Sequence, residues 1–141
     1  MKLVAEAKTY NQKIVRFEWD SLTFLIVEDI DVNFLLLAEI LKRTKVKLIR
    51  ASNGQEAVDI VASGRPVDLV ITDIQMPVMD GFMATRLIRE LKSSLPIIAY
   101  TAFSYEGVHE KMQIAGAQEC LIKPFEPRTF INTLRKYLFR A

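Results

Sequence analysis

The stretch "VITDIQMPVMDG", residues 70–81, decides how the rest of the chain is read. It opens apolar and β-branched, as a strand buried on both faces should. Asp73 stands where the run ends, and Pro77 lies four residues further on. Proline removes a ladder donor, so the chain must leave the sheet there. A buried strand that delivers a carboxylate to its exposed end and then breaks needs partners for that carboxylate elsewhere in the sequence.

Working outward, further apolar runs occur at 22–27, 46–50, 67–72, 96–100 and 119–122, and amphipathic stretches separate them. Ala84, Leu87, Ile88 and Leu91 recur at the i, i+3, i+4, i+7 spacing of one helix face, and Phe130, Ile131, Leu134, Tyr137 and Leu138 do the same near the C-terminus. Residues 31–43 read as a helix capped by Asp31, and Asn53-Gly54 opens a shorter one over 54–62. The segment 104–115 begins at Ser104, a good N-cap, and Gly116 is placed to stop it. Five strands alternating with five helices imply an α/β domain, a parallel sheet covered on both faces. In such sheets ligands collect at the carboxyl ends of the strands.

The 141 residues make one ordinary domain, with half of them hydrophobic and 26% charged. A net charge of +2 is too small to argue for nucleic acid or an anionic membrane. The single cysteine, Cys120, excludes an intramolecular disulfide. No apolar stretch approaches the ~20 residues of a membrane span, and the start MKLVAEAK lacks the form of a signal peptide. The expectation is a soluble, cytoplasmic chain. Residues 1–21 stand apart as a leader or linker. Within it "KIVRFEWD" alternates Val15, Phe17 and Trp19 with polar residues, so it reads either as an extra edge strand or as a linker whose aromatics tuck against the domain.

At the strand ends stand Glu28-Asp29, Asp73, Thr101 and Lys123. Three carboxylates, a hydroxyl and an ammonium should share one rim. Crowded carboxylates repel one another unless a cation offsets them, and hard oxygen ligands without a His or Cys cluster suit Mg2+. Aspartate is also a competent nucleophile toward phosphorus. Glu28 and Asp29 would then hold the metal, directly or through water, with Asp73 as a further ligand and as the attacking group. Lys123 would offset charge on the transferring phosphoryl group, and Thr101 would hydrogen-bond one of its oxygens. No GxxxxGK[ST] cradle is present.

The set VED at 27–29, TDIQMPVMDG at 72–81, YTA at 100–102 and IKPF at 122–125 resembles the receiver domain of two-component response regulators. The resemblance covers residues 22–141 in order and spacing, and "EDIDVN" with the preceding leader looks most like the receiver of a hybrid histidine kinase. It implies a flavodoxin-like (βα)5 sandwich, doubly wound, with strand order 2-1-3-4-5. It also implies a phosphorelay domain whose phosphoacceptor is Asp73, with Glu28 and Asp29 as the acidic pair and the Gln75 backbone carbonyl as a main-chain metal ligand. Thr101 and Lys123 correspond to the switch hydroxyl and the phosphate-pairing lysine, and the Lys123-Pro124 bond is expected to be cis. Gln75 and Phe103 occupy the positions that tune phosphoryl lifetime. The implied partner is a histidine kinase or a histidine phosphotransfer domain, with no nucleic acid or membrane contact by this domain. The chain is expected to be a phosphoacceptor rather than an enzyme, either alone or as a module of a longer hybrid kinase.

One departure stands out, because Cys120 occupies the place where receivers usually carry Tyr or Phe. Other functions compete. A haloacid-dehalogenase-like phosphatase also uses a strand-end aspartate with Mg2+, but wants a second aspartate where this chain has Gln75. A degenerate receiver acting only as a docking module would lack site residues that are all present here. Taken alone, Asp73 could be a solvated turn residue. Asp80 before Gly81 reads as a helix cap. Met76, Met79 and Met83 read as packing or loop residues, His109-Glu110 as surface, and Cys120 as a small buried side chain.

Overall fold

The computed structural model describes residues 19–102 and 105–138. Elements run β1 (Thr23–Val27), α1 (Asp31–Leu41, continued by a 3-10 turn Lys42–Thr44), β2 (Lys47–Ala51), α2 (Gly54–Ala62), β3 (Leu69–Asp73), α3 (Gly81–Leu91), β4 (Ile97–Thr101), α4 (Val108–Ala115), β5 (Glu119–Ile122) and α5 (Pro127–Leu138). The five strands form one sheet in the order β2-β1-β3-β4-β5, and every pairing is parallel. This is the doubly wound, flavodoxin-like (βα)5 arrangement.

The central strands are apolar up to their carboxyl ends because both faces are covered. β3 and β4 are buried at every residue. One face packs Leu25, Val27, Val70, Ile97, Ala99 and Cys120 under α2, α3 and α4. The other packs Phe24, Ile26, Ile71, Ile98 and Tyr100 under α1 and α5. Trp19, just before β1, is wholly buried in this second cluster, with its ring 5.6 Å from that of Phe24. Val15 and Phe17, and with them the edge-strand reading, lie outside the described residues.

Side-chain caps set two of the helix starts. The Asn53 side chain accepts from the Glu56 N–H at 2.9 Å, and the Asp80 side chain accepts from Met83 N–H at 3.0 Å. Two expectations are corrected. Asp31 is not the cap of α1. Ile30 holds that position without a side-chain bond, and Asp31 is the first helical residue, paired instead with Arg50 at 2.7 Å. Nor does α4 begin at Ser104, which lies outside the described residues. It begins at Val108 behind Gly107, whose φ of 89° ends the preceding turn in a conformation that side chains other than glycine's resist. Gly116 closes α4 as expected.

Candidate functional site at the carboxyl rim of the sheet

Parallel strands end on the same side, so β1, β3, β4 and β5 deliver Glu28-Asp29, Asp73, Thr101 and Lys123 to one rim. The structure brings the three acids together. Glu28, Asp29 and Asp73 each offer a carboxylate oxygen, and these atoms lie within 4.8 Å of one another. Thr101 is the last residue of β4 and is buried. Lys123 follows β5, its Nζ 3.9 Å from Glu28 Oε1, and the Lys123–Pro124 peptide bond is cis.

The three carboxylates differ in surroundings. Glu28 is wholly buried. Its Oε2 accepts the Ile30 N–H at 3.1 Å, its Oε1 accepts the Tyr100 hydroxyl, and its backbone carbonyl accepts Arg50 Nε at 3.1 Å. Asp29 Oδ1 is buried with no hydrogen-bond partner among the described residues. Asp73 accepts the Ile74 N–H on Oδ1 at 2.7 Å. Burial first, then the Glu28 charge beside it, push its acid up to about 6, against the opposing pull of Lys123 and of the Ile74 and Gln75 N–H groups. At neutral pH Asp73 is thus mostly ionised, yet poorly solvated and close to like charges. Such a group gains from a cation.

The loop after β3 is held tightly. Gly81 N–H donates to Ile74 carbonyl at 2.7 Å, and a Cβ at Gly81 would sit 2.3 Å from the Asp73 carbonyl oxygen. Only glycine permits that approach. Within the same loop Val78 has a φ of 69° although it is β-branched, a strained conformation beside the site. Phe103 lies outside the described residues. Cys120 is buried against the aliphatic face, and burial pushes its thiol up, so it behaves as a small apolar residue. Met76 packs against the same cluster, whereas His109 and Met83 are exposed.

Sequence reasoning missed two residues here. Arg50 ties β2 to the Glu28 backbone and to Asp31. Tyr100 reads in "PIIAY" as one more buried strand residue, yet its hydroxyl reaches Glu28 and its ring lies 4.3 Å under Lys123 Nζ. The available signal was a polar-tipped side chain in an otherwise aliphatic strand, directly before the site hydroxyl.

Residues 24–135 match the response regulator receiver domain family. The chain belongs to that family. Among its relatives, the polar-differentiation response regulator DivK of Brucella anthropi is 35% identical over 117 residues, which is 81% of this chain and 94% of DivK. The receiver domain of a Pseudomonas aeruginosa sensor histidine kinase, with a magnesium ion in its active site cleft, superposes with a TM-score of 0.77 at 30% identity, covering 84% of this chain and 98% of that one. The receiver domain of Ssk1 from Saccharomyces cerevisiae, solved with the histidine phosphotransfer protein Ypd1, gives 0.75 at 27% identity over 83% of this chain and 88% of that one. These receiver similarities support no dehalogenase-like phosphatase. No helix among the described residues is long and apolar enough to cross a membrane.

Proposed function

We propose that Asp73 is the phosphoacceptor of a phosphorelay and takes its phosphoryl group from a phosphohistidine. The observation that carries this reading is the buried, ionisable Asp73 carboxylate inside a three-acid cluster, facing an ammonium across the rim. An Asp73 carboxylate oxygen attacks phosphorus, the P–N bond breaks, and the imidazole nitrogen leaves with the bonding pair. The product is an aspartyl phosphate. Lys123 and the Thr101 hydroxyl stand where negative charge develops on the phosphoryl oxygens, so they assist a step the domain performs on itself.

The donor set fits Mg2+. It consists of carboxylate oxygens without histidine or cysteine, and it includes the unpartnered buried Asp29 Oδ1. Asp29, Asp73 and the Gln75 backbone carbonyl would hold the ion, and Glu28, whose two oxygens are already engaged, would act through water. When bound, the metal offsets charge on the acid cluster and on the transferring group.

The partner reading draws on α1, which exposes Val32, Leu35 and Leu36 beside the rim. Apolar side chains gathered there suit a helical phosphotransfer domain or a kinase that must bring its histidine to Asp73. A cytoplasmic setting and a role as one module of a hybrid kinase agree with that partner. Gln75, exposed two residues after Asp73, is placed to influence water attack on the acyl phosphate. The test is transfer from a radiolabelled phosphotransfer domain in the presence of Mg2+. Label should pass to this chain, and Leu35→Asp with Leu36→Asp should slow transfer while leaving uptake from acetyl phosphate intact. Slowing of both alike would remove the docking role from α1.

A further inference from the structure

In register, Tyr100 on β4 pairs with Asp73 on β3. From there the phenol leans across the sheet to Glu28 at the end of β1, where its hydroxyl donates to Oε1. That same oxygen is the atom Lys123 faces at 3.9 Å, an ion-pair separation too long for a hydrogen bond. The ammonium lies instead 4.3 Å from the centre of the Tyr100 ring. One side chain therefore both occupies the acceptor that Lys123 would otherwise take and offers the ammonium a weaker seat.

We propose that Tyr100 is a positioning residue of the phosphoryl-transfer site, one that keeps Lys123 from closing onto Glu28 and so leaves it available to the phosphoryl group. A lysine locked to a buried carboxylate would have to break a charge-assisted bond before it could serve the phosphoryl oxygens. A lysine resting on an aromatic face gives up less. The inference rests on the receiver function above and adds a residue on which the site depends. Tyr100 also meets Phe125 edge-on at 6.5 Å, two residues past Lys123, so the ring has a fixed orientation under the ammonium.

The experiment uses Mg2+ with beryllofluoride as the phosphoryl stand-in. In the unmodified chain, the Lys123 Cε protons should resonate upfield because of the Tyr100 ring current. They should return toward ordinary lysine values when beryllofluoride binds and the ammonium leaves the ring. Tyr100→Phe keeps the ring and removes only the hydroxyl, and it should weaken beryllofluoride binding about tenfold, the scale of one hydrogen bond to a charged group. Equal affinity in Tyr100→Phe and the unmodified chain would overturn the inference, as would Lys123 resonances that do not move on binding. If Tyr100→Phe fails to fold, the resonances of the unmodified chain decide alone. Failure of the unmodified chain to bind beryllofluoride would overturn the receiver function and this inference with it.

Discussion

On the face covered by α2, α3 and α4, the buried side chains are aliphatic or small, with Ala51, Ala57, Ala99 and Cys120 among them. On the face covered by α1 and α5, Trp19, Phe24, Tyr100 and Phe130 fill the core, and Phe125 packs against them. The acid cluster sits above both, but its side-chain link to the core runs to the aromatic face, from Glu28 to Tyr100, on to Phe125, and to Phe130 stacked at 5.1 Å. On the other face stands Cys120, a small buried side chain with neither the reach nor the volume of an aromatic ring. A change of charge at the rim is thus wired to the aromatic face more directly than to the aliphatic one.

The largest expected effect probes the aromatic face. Phe130→Ala should cost about 3–5 kcal/mol in denaturant unfolding, because it empties a wholly buried ring site in a stacked group. A loss under about 2 kcal/mol would mean that this face collapses easily around the gap, and the contrast between faces would weaken.

Next in size is Asp73→Asn, which sharpens the contrast between rim and core. The native acid titrates near 6 and the unfolded one near 3.8. Between those values the folded state holds more protons, so stability falls as pH rises through this window, and the cost is fully present above about pH 6. Removing the charge should therefore stabilise the metal-free protein at pH 7 by about 3 kcal/mol, and the gain should vanish below about pH 4. Pairs of unfolding curves at the two pH values check this. Destabilisation at pH 7 would show that Asp73 is structural rather than held at a cost for function.

The smallest effect belongs to the aliphatic face. Cys120→Ala should cost about 1 kcal/mol and leave phosphoryl uptake unchanged, since only one buried atom is lost from a well-packed cluster. If uptake changes markedly, Cys120 takes part in the response and the two faces differ less than their packing implies.

Much of the fold is legible in the residues themselves. The five apolar runs mark the five strands, and in β1, β3 and β4 burial on both faces leaves little room for polar alternation. Asn53 and Asp80 announce their helices through their own capping chemistry. The rim residues stand at the last positions of the strands or just beyond them, where a parallel sheet must gather them. What escapes does so for local physical reasons. Asp31 has the chemistry of a cap, but Arg50 on a neighbouring strand claims it. The start of α4 depends on the positive φ of Gly107, which a residue pattern does not distinguish from an ordinary loop glycine. Tyr100 escapes because hydrophobic periodicity counts its ring and ignores its hydroxyl.

The most direct test of Asp73 as the phosphoacceptor is the location of the phosphoryl group. Incubated with acetyl phosphate and Mg2+, the chain should gain one phosphoryl group, and mass spectrometry should place it on Asp73. Asp73→Asn or removal of Mg2+ should abolish the product. A phosphoryl group found on any other residue, or uptake that persists in Asp73→Asn, would contradict that role.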